Sequence, residues 1–450
     1  MRIAYLTAGA AGMYCGSCMH DNTLARAMIA RGADCLLVPT YTPIRTDEKD
    51  ISDDVVFFGG INIYLEQKLP LWGRLPHRLT AWLDRPGLLR LATRKTGSTS
   101  PHLLGALTVS MLQGMQGRQR TEVDRLCRWL QTHAAPDAIV LSNFLIGGCV
   151  TELKRRLGVP VVVTLQGDDI FLDFLPAKYR AMAIDRMRAL AADVDGFIVN
   201  SRFYGEKMVA LLGLPEEKMH VIPLGIDTTG FLAEGSEARR AADADASSPL
   251  RIGYLARIDP AKGLHRLVDA MIEFEATRQP SDRAIHLEVA GWLGEQHHAY
   301  AAEQWSRLDQ SGMAGRYTYH GSPDHAGKLD FLRRLDLFCV PTEYEEPKGL
   351  YALEAMAMRL PVILPRHGVF PELAGDNSAV QLVPPGDAAA LAEAIRSLTS
   401  DAASREQLAE RGYRSVVGER TVDRMADQVL QLLNDLAESG KPVDHSAGRR

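Results

Sequence analysis

The chain has 450 residues, 46% of them apolar, with 38 Gly and 23 Pro spread along it, which excludes a disordered, collagen-like or disulfide-stapled protein. Lys and Arg number 51 against 56 Asp and Glu, so the net charge of −5 offers no bulk attraction for nucleic acid. No stretch of 18 apolar residues supports a membrane span, and the amino-terminal segment, interrupted by Gly9 and Gly12, lacks a signal-peptide cleavage pattern. The expectation is a soluble, cytoplasmic chain of two large α/β domains.

Residues 2–6 read as a buried parallel strand. Residues 7–17 are Gly-rich. A helix is expected from His20 or Asp21 to Gly32, with Leu24, Ala27 and Met28 on its apolar face and Gly32 as its C-cap. A strand over 35–39 completes the opening of a doubly wound sheet. Residues 42–115 are less regular: strand pieces at 55–58 and 61–64, then a stretch over 70–97 rich in Leu, Arg, Trp and Pro. Helical periodicity resumes over 102–132. Strands are expected at 138–141, 161–165 and 196–200, and helices at 148–157, 177–192 and 201–212, the last capped by Ser201. Residues 220–223 close this run.

The segment 233–248 is rich in Ala, Asp, Glu and Ser without a strong apolar pattern, so a boundary falls between 226 and 249. The pattern then restarts. Strands are expected at 251–255, 286–290, 317–320, 337–340 and 361–364, and helices at 263–275, 328–335, 350–358, 388–397 and 404–411. Two successive α/β patterns imply two Rossmann-like domains, residues 1–225 and 226–420, with parallel sheets facing across a cleft. An amphipathic helix over 421–438, carrying Met425, Val429, Leu432 and Leu433, suits packing on either domain, and 439–450 reads as a frayed tail.

The strongest chemical feature runs from Pro341 to Met358. A strand end, an acidic loop and a helix starting near Gly349 or Leu350 place Glu346 at the carboxyl end of a parallel strand, where open α/β sheets bind ligands. The N–H groups of Gly349, Leu350 and Tyr351 suit phosphate oxygens. Glu343 and Glu345 read as complements of the helix dipole. Glu354 lies inside an apolar helix and needs a partner, since unpaired burial of a carboxylate is costly; it suits a diol such as ribose. Arg257 and Lys262 follow the 251–255 strand and add positive potential at the same strand ends. With two cations present, no metal is expected. Cys15-x-x-Cys18 lacks the second pair or histidines of a zinc site, and reads as a tight turn more readily than as a redox pair.

The spacing Glu346-x7-Glu354 with Gly349 between, Ala355-Met356-Ala357 after it, Pro361-Val362-Ile363, Gly368-x3-Glu372, Pro223-Leu224-Gly225-Ile226-Asp227 and Arg257-x4-Lys262-Gly263 together resemble the retaining GT-B glycosyltransferases of family 4. The match runs over about 196–420; the first half resembles the family only in outline. The resemblance implies a GT-B fold and a nucleotide-diphosphate sugar (UDP-, GDP- or ADP-sugar) as donor, with no further cofactor. It gives Glu346 the sugar hydroxyls, Glu354 the ribose, and Arg257 and Lys262 the diphosphate. Gly12 and Gly16, in the first Gly-rich loop, would bring backbone amides to the same diphosphate. Retention of anomeric configuration follows from the resemblance alone, as does return of the last helix to the first domain.

The first loop is neither a Gly-x-Gly-x-x-Gly fingerprint nor a P-loop, so nicotinamide chemistry has little support. His20 and Asp21 read as the start of its helix. In Thr164-Leu165-Gln166-Gly167-Asp168-Asp169, Gln166 stands where many family members have histidine, and Asp168 is the candidate to contact donor sugar or acceptor. By its position and the resemblance, His320-Gly321 is expected to line the nucleotide-base pocket through its backbone; a structural role is the alternative. The function expected is transfer of a hexose to a hydroxyl of a sugar, glycan or lipid-linked acceptor. The competing classes are an epimerase or phosphorylase-like enzyme on the same fold, and a non-catalytic nucleotide-binding protein. The irregular 42–115 region reads both as packing and as an acceptor wall. Its Lys68, Arg74, Arg78 and Arg85 leave room for peripheral contact with the inner membrane surface. Oligomeric state is not legible.

Overall fold

The computed structural model describes residues 1–9, 16–42, 44, 46, 49–53, 57, 101–231 and 248–439. The chain forms two compact units, 1–223 with 423–450, and 224–422. Gly12, Cys15, most of 42–100 with its basic and aromatic residues, and most of the 233–248 segment lie outside the described residues.

In the first unit, β1 (Arg2–Thr7), β2 (Asp34–Pro39), β3 (Ala138–Leu141), β4 (Val161–Thr164), β5 (Gly196–Val199) and β6 (Met219–Val221) form a parallel sheet in the order β2-β1-β3-β4-β5-β6. All residues of β3, β4 and β5 are buried, as expected of strands covered on both faces. The chain order reverses between β1 and β3, so the loops after these strands flank the crevice that such a reversal opens. The Val422–Ser439 helix belongs to this unit: Asp423 and Asp427 both pair with Arg31, the former at 2.9 Å.

The second unit repeats the plan. β7 (Leu250–Leu255), β8 (Ile285–Ala290), β9 (Tyr317–Tyr319), β10 (Leu337–Cys339), β11 (Val362–Pro365) and β12 (Gln381–Val383) run parallel in the order β12-β11-β10-β7-β8-β9. Here the order reverses between β7 and β10.

Local differences from the sequence reading have physical causes. The first helix spans Gly16–Ala30, so Gly16 and Cys18 are helical and Asp21 lies inside the helix rather than at its start. Gly16 is tolerated because the first turn needs no intrahelical acceptor for its N–H groups. The helix expected over 404–411 extends over Ala402–Glu419, because Gly412 continues it and lets it approach the Met356 side chain closely. The His298–Leu308 helix was not anticipated: it buries Ala301, Gln304 and Leu308, a face too weakly apolar to read. The short Phe370–Ala374 helix and the edge strand β12 were likewise not anticipated.

Candidate active site

Lys262 follows β7 and Glu346 follows β10, the two strands at the reversal of the second sheet. The loop after β7 closes in a turn over Pro260–Lys262, where the Asp259 side chain accepts the Lys262 N–H at 3.2 Å. The next residue, Gly263, has φ +74°, and a Cβ there would come within 1.8 Å of the Pro341 carbonyl oxygen. Only glycine allows the two loops to meet so closely. Glu343 N–H donates to the Ala261 carbonyl at 2.9 Å, tying the loops again. Gly368, φ +59°, does for Glu346 what Gly263 does for Lys262: a Cβ would lie 2.5 Å from the Glu346 nitrogen, and Val369 N–H donates to the Glu346 carbonyl at 2.8 Å.

With both backbones pinned, the side chains meet. Lys262 Nζ lies 2.6 Å from Glu346 Oε2, which also accepts from the Tyr344 and Tyr351 hydroxyls at 3.0 and 3.2 Å. The ammonium sits 5.0 Å from the centroid of each tyrosine ring, a cation–π arrangement on two sides. Glu346 is buried. Burial alone would raise its pKa, but the Lys262 charge and hydrogen bond, aided by the Tyr344 hydroxyl, bring it down to about 2. Burial and the Glu346 charge push both tyrosine hydroxyls well above their ordinary value, so they remain donors. Among the described residues, no hydrogen bond reaches Glu346 Oε1.

Arg257 is half-exposed, with Nη2 3.4 Å from Asp259 Oδ2, and its charge reaches the Tyr344 hydroxyl. Gly349 is the N-cap of the Leu350–Ala357 helix. Glu354, inside that helix, has the partner its burial demands: Lys328 Nζ at 2.6 Å, from the His325–Arg333 helix. Glu343 pairs with Arg266 and with His265 at 3.1 Å, a firmer engagement than complementing a dipole. His320 donates its backbone N–H to Val289, while its ring reaches Glu288 on the face of the sheet; what it offers the end of β9 is backbone.

In the first unit, Asp168 begins a short helix and is buried. Its oxygens accept the Phe144 N–H at 2.7 Å and the Gln166 N–H at 3.1 Å, so it fastens the loops after β3 and β4 together. Burial raises its pKa to about 6 despite these amides. The neighbouring centre is Asp21, which is wholly buried. It accepts from the Tyr5 hydroxyl at 3.0 Å, the Thr7 hydroxyl at 2.7 Å and Gln166 Nε2 at 2.9 Å, and lies 3.1 Å from His20 Nδ1. Gln166 Nε2 also donates to the Ser142 carbonyl at 2.7 Å. Residues of β1, the first helix and the loop after β4 thus converge on one carboxylate, and Gln166 ties it to the end of β3.

Residues 236–415 match the model described as Glycosyl transferases group 1, and residues 22–225 match the Glycosyl transferase 4-like domain. Both halves of the chain are thus similar to glycosyltransferases. Among its relatives, the D-inositol 3-phosphate glycosyltransferase of Kribbella flavida is 25% identical over 375 residues, covering 78% of this chain and 84% of that protein. The lipopolysaccharide core biosynthesis mannosyltransferase LpsB of Rhizobium meliloti is 33% identical over 185 residues, 40% of this chain and half of that one. Anabaena Alr3699/HepE, solved in complex with UDP, superposes with a TM-score of 0.67 at 17% identity, covering 97% of this chain and 100% of that chain. Sucrose-phosphate synthase from Thermosynechococcus elongatus gives 0.67 at 19% identity, covering 98% and 100%. The fold is GT-B. No helix among the described residues is long and apolar enough to cross a membrane.

Sequence reasoning did not single out Lys328, Tyr344 as a ligand of Glu346, or the Asp21 centre. A lysine in an amphipathic helix reads as solvated, and only its sheet-side neighbour Glu354 carried a signal. Tyr344 and Tyr351 stand two and five residues from Glu346, a spacing that marked them in hindsight.

Proposed function

We propose that the chain is a retaining hexosyltransferase, moving a hexose from a nucleoside-diphosphate sugar to a hydroxyl of a sugar, glycan or lipid-linked acceptor. The observation that carries this reading is the buried Lys262–Glu346 pair at the reversal of the second sheet, ringed by two tyrosine hydroxyls and beside a glycine-capped helix N-terminus. As the bond from the anomeric carbon to the diphosphate breaks, negative charge grows on the leaving phosphate. In this reading Lys262 and Arg257, with the amides of Gly349, Leu350 and Tyr351, offset it. Glu346, anionic at neutral pH with its pKa near 2, takes sugar hydroxyls and stabilises positive charge growing on the ring. Lys262 then divides its hydrogen bonds between Glu346 and phosphate. Glu354 takes the ribose diol while Lys328 balances its charge. The acceptor proton goes to the leaving phosphate, the new glycosidic bond forms on the same face, and free nucleoside diphosphate departs.

The names of relatives support a polyol or sugar acceptor: D-inositol 3-phosphate glycosyltransferase and a lipopolysaccharide core mannosyltransferase are among them. The test is incubation of the purified chain with UDP-, GDP- and ADP-hexoses and an acceptor panel that includes inositol phosphate and simple glycans. Release of nucleoside diphosphate with a new glycoside of retained configuration is expected. Interconversion of the sugar nucleotide without such release would support an epimerase. Binding without turnover would support a non-catalytic protein.

A further inference from the structure

The second unit carries a polar cavity of about 250 Å³ that the transfer chemistry above does not use. Arg251, His286, Glu288, Thr318, His320 and Arg334 line it. Their convergence follows from register. Arg251 pairs with His286 across β7 and β8, and Glu288 with Thr318 across β8 and β9, so alternating positions put these side chains on one sheet face. A parallel sheet ordinarily covers such a face with apolar helix; here the positions are charged or polar.

Charge is unevenly matched in the cavity. Glu288, buried, is its one carboxylate, engaging the His320 ring and, at 3.3 Å, Arg251 Nη1. His286 Nε2 lies 2.9 Å from the Thr318 hydroxyl. The Arg251 side chain is 47% exposed. Arg334 spends its Nε on the Asp330 carbonyl at 3.2 Å, and among the described residues no carboxylate pairs with it. Arg316, just before β9, is already matched by Glu275 at 2.9 Å. One buried anion therefore stands against two guanidiniums in a space open to solvent.

We propose that this cavity binds a phosphoryl group, as inorganic phosphate or a small phosphate monoester, between Arg251 and Arg334. Guanidinium forks match tetrahedral oxyanions in geometry and charge. The imidazoles and the Thr318 hydroxyl supply further donors. Glu288 holds the arginine and imidazole rims in place and leaves an acceptor for a hydroxyl of the ester. The volume suits a phosphate with a short carbon stem, and the lining offers no broad aromatic platform for a nucleobase.

Isothermal titration of inorganic phosphate into the full-length chain carrying R257Q and K262M, at constant ionic strength, reads this cavity apart from the proposed diphosphate clamp. Saturable binding is expected, weakened at least ~10-fold by adding R251Q and R334Q. Arg251 also steadies Glu288, so R334Q alone, which gives up only a contact to a backbone carbonyl, is the cleaner variant; about 3-fold weakening is expected from it. In the wild-type chain with 13C-labelled histidine, phosphate should move the His286 and His320 resonances, assigned through H286Q and H320Q. No saturable uptake, uptake indifferent to both arginine substitutions, or histidine shifts confined to other residues would overturn the proposal.

Discussion

The two units end their central strands in buried carboxylates that are held in different ways. In the second unit, Glu346 rests on a cation, Lys262, and its pKa falls to about 2. In the first, Asp168 rests on two backbone amides, and its pKa rises to about 6. Asp21, beside it, gathers two hydroxyls, a carboxamide and an imidazole. A lysine on a flexible stem can be drawn toward a diphosphate while still touching Glu346. Backbone amides and the phenol of a buried Tyr5 have nowhere else to go. The comparison separates a site that can respond to a charged ligand from a network that holds strand ends in register.

The largest expected effect sharpens this difference at the catalytic level. E346Q removes the charge and keeps the shape; turnover with the best donor should fall at least ~100-fold, while nucleotide affinity changes little, since the cations remain. Steady-state kinetics and nucleotide titration on the folded variant check both halves. Equal losses in turnover and nucleotide affinity would break the distinction between donor-sugar and diphosphate contacts.

Next comes D21N, which removes the charge and turns the oxygen that accepts from the Thr7 hydroxyl into a donor. A loss of roughly 2–4 kcal/mol in unfolding free energy is expected, because a buried network is left partly unsatisfied. Denaturant unfolding measures it. A smaller loss than that of E346Q would reverse the ranking of scaffold and site.

A double-mutant cycle on Lys262 and Glu346 should follow. K262M and E346Q each leave a buried partner uncompensated, so the double variant should be less destabilised than the sum by about 1–3 kcal/mol. Additivity would mean that the 2.6 Å pair carries no coupling.

The smallest effect is in pH. Glu346, lowered from 4.5 to about 2, contributes stability that is present above pH 4.5 and lost as pH falls toward 2. Asp168, raised from 3.8 to about 6, holds its proton more tightly in the folded chain, so its contribution declines as pH rises from 4 to 6. The slopes are opposite in sign. D168N should flatten the pH 4–6 decline by on the order of 1 kcal/mol, read from unfolding at several pH values. An unchanged slope would return Asp168 to the ordinary carboxylate range.

Much of this was legible in the residues. Buried parallel strands such as β3, β4 and β11 announce themselves as apolar runs, and the glycines and acids around Glu346 mark a strand-end loop because backbone close approach and charge leave few substitutes. Glu354 was legible as a carboxylate in need of a partner, but Lys328 was not as its answer: the two stand 26 residues apart on different helices. The Asp21 centre was hidden for a different reason. Its partners come from three places in the chain, and the dipeptide His20-Asp21 has the look of a helix start. The direction of the His320 ring depends on strand register, which one sequence does not display.

The most direct test is a crystal structure of the chain with a bound nucleoside diphosphate. The account predicts a phosphate oxygen within hydrogen-bonding distance of Lys262 Nζ and of the amides that open the Leu350–Ala357 helix, with Glu346 left facing the position of the sugar. A nucleotide seated elsewhere, with Lys262 still devoted to Glu346 alone, would contradict it.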